Sequence, residues 1–275
     1  MPSRKIGLIG CGTIGSQIAV AVDSGRIPNA SLVSIFDTIS ENAKSLGTKL
    51  QTTPVRFVEP EKFMISDIDI VVEAASQEAV RAFAIPSLTA GKDLMVMSVG
   101  ALADPDFLAK LLGTAQEQKC KIYVPTGAIA GIDAIRSVRG LIEKITLTTT
   151  KNPKALAGAP FFAIKGMEVE GITSRTEIYT GSASEAVKLF PANVNVAAVL
   201  SLAGVGPAKT QVKIVADPDA TTNKHSIVAT GSFGEIEITV NNVQSPGNPK
   251  TSYLAVLSAI ECLRSICDDM LRIGS

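Results

Sequence analysis

The chain has 275 residues, of which 46% are apolar and 19% charged, and 26 Lys+Arg balance 26 Asp+Glu. That size and apolar content suit a globular protein of two modest domains, while a formal charge of zero leaves no basis for wholesale nucleic-acid binding, so any anionic ligand must be held by local charges. The lack of tryptophan and an aromatic content of 4% argue against base stacking as well.

In chain order, the first half alternates short apolar runs with helix-like stretches. The runs are Lys5–Gly10, Leu32–Asp37, Pro54–Val58, Asp69–Ala75, Asp93–Val99 and Lys121–Gly127. They are rich in Val and Ile and apolar on both faces, as buried parallel strands are. Helices are expected after Gly12 and over Ser40–Leu50, Gln77–Leu88 and Asp104–Gln118. Strands separated by helices in this way predict an α/β fold with a Rossmann-type, doubly wound parallel sheet over residues 1–130.

The pattern changes after about Ala130. Glu143–Thr150, Thr176–Gly181, Val212–Asp217, the stretch from His225 to Gly231, and Gly234–Val243 read as closely spaced strands with alternating polar residues. They predict a second, α+β domain over 131–247, built on a largely antiparallel sheet with one exposed face. Ser182 and Glu185 have capping-box spacing, and Ala192–Gly204 is an almost wholly apolar helix, Asn193 and Asn195 apart. A last helix is expected over 248–275, capped by Asn248 with Pro249 in its first turn. Its stripe of Leu254, Leu257, Ile260, Leu263, Ile266 and Met270 should pack back on the first domain. The four cysteines, Cys11, Cys120, Cys262 and Cys267, form no C-x-x-C and suit no common zinc spacing. With no signal-peptide pattern and no apolar run long enough to span a membrane, the expectation is a soluble protein of the reducing cytoplasm without a metal.

Two places carry chemistry. Gly10-x-Gly12-x-x-Gly15 follows a predicted strand and opens a predicted helix, the context that turns a common glycine pattern into a dinucleotide site. Gly10 permits the tight turn, Gly12 lets backbone approach a pyrophosphate, and Gly15 lets helix and strand pack closely. The first helical turn, with Thr13 and Ile14, offers N–H groups to phosphate. Asp37, ending the second strand with no arginine after it, can accept from a ribose 2′-OH and repels a 2′-phosphate, which favours NAD over NADP.

The second place is His225, the only histidine, at the start of a strand. Two readings are open: an ordinary surface or edge-strand histidine, or the proton acceptor that oxidation of an alcohol or amine requires. Asn193 and Asn195 can serve backbone groups or a cofactor carboxamide. Lys250 at a helix start is either solvated or paired with an anion.

Taken together, "GLIGCGTIG", "VVEAASQEAV", "MSVGALAD", "VPTGAIAGIDAI", "LFPANVNVAAVLSLAG", "ADPDATTNKHSI", "GSFGEIEITVNNVQSP" and "NPKTS" resemble the L-aspartate dehydrogenase family, in order and over nearly the whole chain. The resemblance implies NAD(P)-dependent oxidative deamination of L-aspartate to iminosuccinate, which hydrolyses to oxaloacetate and ammonia or feeds NAD biosynthesis through quinolinate. It implies that His225 is the catalytic histidine, that Ala128, Ala130 and Asn195 match cofactor-contacting positions, and that the protein is a homodimer with a functional link to quinolinate synthase. Lys250, with the helix start around Thr251 and Ser252, is the candidate for the substrate's carboxylates. The departures are Thr126 in "PTG", where serine is expected, and the missing arginine after Asp37. Sugar-type oxidoreductases of this plan carry Glu-Lys-Pro where this chain reads "SVGALAD", and dihydrodipicolinate reductases need a histidine pair. A homoserine-dehydrogenase-like enzyme and a non-catalytic dinucleotide sensor are the competing readings.

Overall fold

The chain is seen in a computed structural model that describes residues 3–52, 54–57, 59–64, 67–191, 195–245, 248–268 and 270, with backbone alone at 55–57, 61, 64 and 248–250. It divides into two compact units, Met1–Pro125 with Val256–Ser275, and Thr126–Ala255.

The first unit is set by its strands. β1 (Arg4–Ile9), β2 (Ala30–Phe36), β3 (Val55–Phe57), β4 (Ile70–Glu73), β5 (Asp93–Val96) and β6 (Ile122–Tyr123) form one sheet in the order β3-β2-β1-β4-β5-β6. Every pairing in it is parallel. The expected doubly wound sheet is therefore present, with its order reversing between β1 and β4. Ile6, Leu8, Ile70, Val71 and Val72 are sealed from solvent, which explains why these runs are apolar throughout rather than alternating. The helices are α1 (Thr13–Asp23), α2 (Ser40–Gly47), α3 (Pro60–Met64), α4 (Gln77–Thr89) and α5 (Pro105–Gln118). Ser76 caps α4 through Ala79 N–H, and Asp104 caps α5 through two N–H groups. α3, a single turn, carries too little periodicity to be read from sequence.

The second unit holds α6 (Ile132–Val138), β7 (Ile142–Lys151), α7 (Pro153–Leu156), α8 (Pro160–Lys165), β8 (Thr176–Ser182), α9 (Ala183–Leu189), α10 (Asn195–Ala203), β9 (Gln211–Ala216), β10 (Asn223–Gly231) and β11 (Gly234–Asn242). A hairpin of β12 (Gln244–Ser245) and β13 (Asn248–Ser252) follows. The five-stranded sheet has the order β11-β10-β7-β9-β8. It is mixed rather than uniformly antiparallel, because β7 and β9 pair in parallel. The intervening α7, α8, β8, α9 and α10 supply the crossover that a parallel pair requires. Ile145, Leu147, Val212, Ile214, Ile227 and Ala229 form the dry face, while Lys224, Val228, Glu235 and Glu237 lie on the solvated one. The capping box on α9 is complete, with Ser182 accepting from Glu185 N–H and the Glu185 carboxylate accepting from Ser182 N–H.

The last helix departs from expectation in two ways. α11 runs Tyr253–Cys267, so Asn248, Pro249, Lys250, Thr251 and Ser252 belong to β13 and not to a helical first turn. Pairing with β12 and the Tyr253 N–H bond to the Val243 carbonyl satisfy backbone that a helix start would leave open, and proline suits an edge strand as well as a helix start. The buried stripe is Val256, Ala259, Ile260, Leu263 and Cys267, sharing only Ile260 and Leu263 with the expected one, while Met270 is 87% exposed. As expected, most of this helix belongs to the first unit, where the Arg264 guanidinium donates to the Arg26 carbonyl. Among the described residues no helix is long and apolar enough to cross a membrane.

Candidate active site

In the first unit, the turn from β1 into α1 has the geometry of an anion cradle. Gly10 takes φ +93°, and a Cβ there would sit 2.7 Å from the Ala74 carbonyl oxygen. A Cβ on Gly15 would lie 1.9 Å from the Gly10 oxygen, so helix and strand touch as backbone on backbone. A Cβ on Gly12 would meet nothing within 4 Å, leaving open space on the side where a ligand approaches. Gly12 is the N-cap and supplies no side-chain cap, and the first turn carries no acid, so the N–H groups over Thr13, Ile14 and Gly15 face outward under a favourable helix dipole. Asp37, just after β2, accepts from Cys11 N–H at 2.7 Å and from Ile39 N–H at 2.8 Å. Its carboxylate is thus braced against the glycine turn with acceptor capacity left for a ribose hydroxyl. The donors, the open space and the placed acid fit a dinucleotide.

One residue of this unit escaped the sequence reading. Glu73 ends β4, is 1% exposed, and accepts from Ala75 N–H (2.8 Å), Ser98 N–H (3.0 Å) and the Ser98 hydroxyl (2.9 Å). Burial pushes its carboxyl upward from the usual range, and the donors pull it back. It ties together the segments that leave β4 and β5. The signal was a lone acid closing an all-apolar strand.

In the second unit, His225 is neither a surface nor an edge histidine. It sits on β10 between β11 and β7 and is 2% exposed. In register it faces Val240 on one side and Thr149 on the other. The Thr149 hydroxyl lies 3.0 Å from Nδ1. If Nδ1–H donates to Thr149, the Nε2 lone pair is available as a base. Burial, and next the Lys151 cation, push the imidazole down to about 3, so it is neutral at ordinary pH.

Around it the dry face of the sheet turns polar. Asn223 and Lys151 lie two residues from His225 and Thr149 on the same faces of β10 and β7, and Asn242 is paired with Asn223. All are buried, Lys151 to 4% exposure. The Asn223 amide donates to the Ser252 hydroxyl at 3.3 Å, and the Asn242 amide donates to the Ala128 carbonyl at 2.9 Å. Hydrogen bonds thus bring Ser252 and Ala128 to the histidine's end of the sheet. Ala130 is exposed in the turn between Gly127 and Gly131, Asn195 opens α10 half-buried, and Thr251 is half-buried in β13. Asn193 lies outside the described residues, and Lys250 is described in its backbone alone. Thr149, Lys151, Asn223 and Asn242 were not singled out from sequence. The run "ITLTTTK" held the signal, since Lys151 continues the inward alternation of Ile145, Leu147 and Thr149.

The depressed imidazole has a consequence for stability. As pH falls through about 6.5 the unfolded chain takes up a proton at His225, whereas the folded one does so only near 3. Stability is therefore lost progressively between those values and is unaffected by this group above about 6.5. Urea unfolding at pH 6.5 and 5 should show His225→Gln losing about 2 kcal/mol less than wild type over that interval. Equal losses would mean that the imidazole titrates normally.

Comparisons with known proteins fall on this same frame. The family model described as "Aspartate dehydrogenase, C-terminal" matches residues 133–266, and that described as "Homoserine dehydrogenase, NAD binding domain" matches 10–125. The L-aspartate dehydrogenase of Nitrosopumilus maritimus is 48% identical over 99% of this chain and 100% of that protein. The L-aspartate dehydrogenase of Methanosarcina acetivorans is 46% identical over 95% and 96%. The crystal structure of aspartate dehydrogenase from Thermotoga maritima superposes with a TM-score of 0.75 at 27% identity, covering 98% of this chain and 99% of that one. A homoserine dehydrogenase from Thiobacillus denitrificans shares the fold at a TM-score of 0.61 and 14% identity. With near-half identity along its whole length and the matching model over its second unit, the chain belongs to the L-aspartate dehydrogenase family of oxidoreductases.

Proposed function

We propose that the protein oxidises L-aspartate at C2 with a nicotinamide dinucleotide, giving iminosuccinate, which water converts to oxaloacetate and ammonia. The observation that carries this reading is a buried, neutral imidazole whose Nδ1 is engaged by Thr149 at the polar end of an otherwise dry sheet face. In the reaction the C2–H bond breaks as hydride, an amine N–H proton leaves, and C=N forms. The nicotinamide, when bound, supplies the hydride acceptor. His225 Nε2 takes the proton from the neutral amine, and in full deamination also from the attacking water. Thr149 holds the ring orientation. Gly10, Gly12, Thr13, Ile14 and Gly15 bind the pyrophosphate, and Asp37 the adenosine ribose. Ala128, Ala130 and Asn195 contact the cofactor, and Lys250, Thr251 and Ser252 the substrate.

NAD is the preferred cofactor in this reading, because the Asp37 carboxylate would repel a 2′-phosphate and no arginine follows it. The further proposals are a homodimer, a cytoplasmic location consistent with four free thiols, and delivery of the imine to NAD biosynthesis through quinolinate. A homoserine-dehydrogenase-like activity has one observation in its favour, the model matching residues 10–125. That model covers the dinucleotide half and says nothing of the half holding His225.

One assay separates the readings. NADH absorbance is followed against L-aspartate, L-malate, L-homoserine and L-glutamate, and in reverse with oxaloacetate plus ammonia, with NAD and NADP in parallel. L-Aspartate should be the amino acid used, with a higher kcat/KM for NAD. Turnover of homoserine or malate with none of aspartate overturns the assignment, and dinucleotide binding without turnover of any substrate supports a sensor.

A further inference from the structure

β4 and β5 lie side by side in parallel, and the chain leaves both at the carboxyl edge of the sheet, where a doubly wound fold takes its ligand. Past the last rung of the ladder, backbone N–H groups have no strand to pair with and must find acceptors. Glu73 provides them at both exits. One carboxylate oxygen accepts from Ala75 N–H at 2.8 Å and from the Ser98 hydroxyl at 2.9 Å, and the other accepts from Ser98 N–H at 3.0 Å. The Glu73 carbonyl accepts from Met97 N–H at 3.0 Å as well. Both turns are thus fastened to a single residue that is 1% exposed.

We infer that Glu73 is a positioning residue for the nicotinamide half of the cofactor, holding in place the two turns that border that half. The inference deepens the reading of the first unit as a dinucleotide site with the adenosine ribose at Asp37, and rests on it. A doubly wound sheet binds a dinucleotide as two halves, one to each side of the point where the strand order reverses. Here that point lies between β1 and β4, and Asp37 follows β2, so the adenosine half belongs to the β1–β3 side and the nicotinamide half to the β4–β6 side. The turns that Glu73 holds are at the carboxyl ends of that second side. The first abuts the phosphate cradle, since a Cβ on Gly10 would lie 2.7 Å from the Ala74 carbonyl oxygen and 2.8 Å from the Ala75 Cβ. The second runs from Ser98 into a 3₁₀ turn over Val99–Ala103, in which Val99, Gly100, Ala101 and Leu102 are buried. The residue type fits the task. A carboxylate accepts on both oxygens and its charge strengthens each bond, whereas an amide has one oxygen and would turn an NH2 group toward a backbone N–H.

The test uses the whole protein with two probes, NADH and ADP-ribose, the second carrying the adenosine, both phosphates and the second ribose but no nicotinamide. Binding of each is measured by calorimetry for wild type, Glu73→Gln, Ser98→Ala and Asp37→Ala, with thermal unfolding as control. Glu73→Gln can keep its oxygen on Ala75 N–H beside the cradle and gives up Ser98 N–H. It should bind NADH about tenfold or more weakly, because small displacements at a positioned site are costly. ADP-ribose should stay within about twofold of wild type, as sites out of contact behave independently. Ser98→Ala removes one of the three side-chain bonds and leaves the carboxylate, so it should show the same split at smaller size. It carries the test if Glu73→Gln fails to fold. Asp37→Ala should weaken both probes. Equal weakening of NADH and ADP-ribose by the Glu73 and Ser98 variants, or NADH bound by them as by wild type, overturns the proposal and leaves the dinucleotide site standing. ADP-ribose bound by Asp37→Ala as tightly as by wild type, or no NADH binding by wild type, overturns the dinucleotide reading itself and the proposal with it.

Discussion

Replacing His225 with alanine is expected to lower kcat for L-aspartate by about 10²–10⁴-fold, the usual worth of a positioned acid–base group. NADH affinity should be little changed, because the glycine turn and Asp37 belong to the other compact unit. The size of the effect follows from how the ring is held. β10 is paired on both sides, which fixes its place in the sheet, and when the Thr149 hydroxyl, 3.0 Å from Nδ1, accepts from Nδ1–H the lone pair lies on Nε2. A buried, neutral imidazole accepts a proton without first losing one. Burial, and next the Lys151 cation, make it a weak base in the absence of substrate, and a carboxylate of the substrate arriving nearby would raise its proton affinity as the amine comes into place. Thr149→Val removes the orienting bond and keeps the shape, so it should show a smaller fall in kcat with KM nearly constant. Steady-state kinetics with NADH titration distinguish these outcomes, and wild-type turnover in His225→Ala would remove the histidine from the mechanism.

The dinucleotide half was legible because its information is local. Strands buried on both faces are apolar without alternation, and Gly10, Gly12 and Gly15 lie within six positions whose roles are set by one turn. The histidine's surroundings were not, because Thr149 lies 76 positions from His225 and meets it only through the register of β7 against β10. A register one residue different would turn Thr149 and Lys151 to the solvated face. The start of α11 misled for a related reason. Asn248-Pro249 is a sound helix-start signal, and tertiary pairing of β13 with β12 outweighed it. Along α11 two neighbouring arcs are both apolar, so the choice of Val256, Ala259 and Cys267 over Leu254, Leu257 and Ile266 depends on what they pack against. α6, α7 and α8 are four to seven residues long, too short for a helical period to stand out.

The glycine turn gives the second large effect, and Gly15 and Gly12 should fail in different ways. Alanine at Gly15 places a Cβ 1.9 Å from the Gly10 carbonyl oxygen, far inside contact distance. Gly10 has no room to yield, since its own position is closed by the Ala74 carbonyl and its N–H is bonded to the Phe36 carbonyl at 2.9 Å. α1 must therefore lift from β1, loosening Ile18, Ala19, Ala21 and Val22 from the core. Overpacking usually costs about 1–3 kcal/mol, and with a backbone atom as the obstacle the upper end or beyond is expected, so Tm of the apo protein falls by several degrees or more. Alanine at Gly12 meets nothing within 4 Å and keeps an ordinary negative φ of −72°, so the apo protein should unfold as wild type does. The methyl instead occupies the space a pyrophosphate needs against the backbone, and NADH affinity should fall by at least about tenfold. Thermal unfolding of both apo variants beside NADH fluorescence titration separates the two. Gly12→Ala binding NADH like wild type would show that the phosphates do not approach here, and an undisturbed Gly15→Ala would show that β1 and α1 are not in the backbone contact on which the cradle depends.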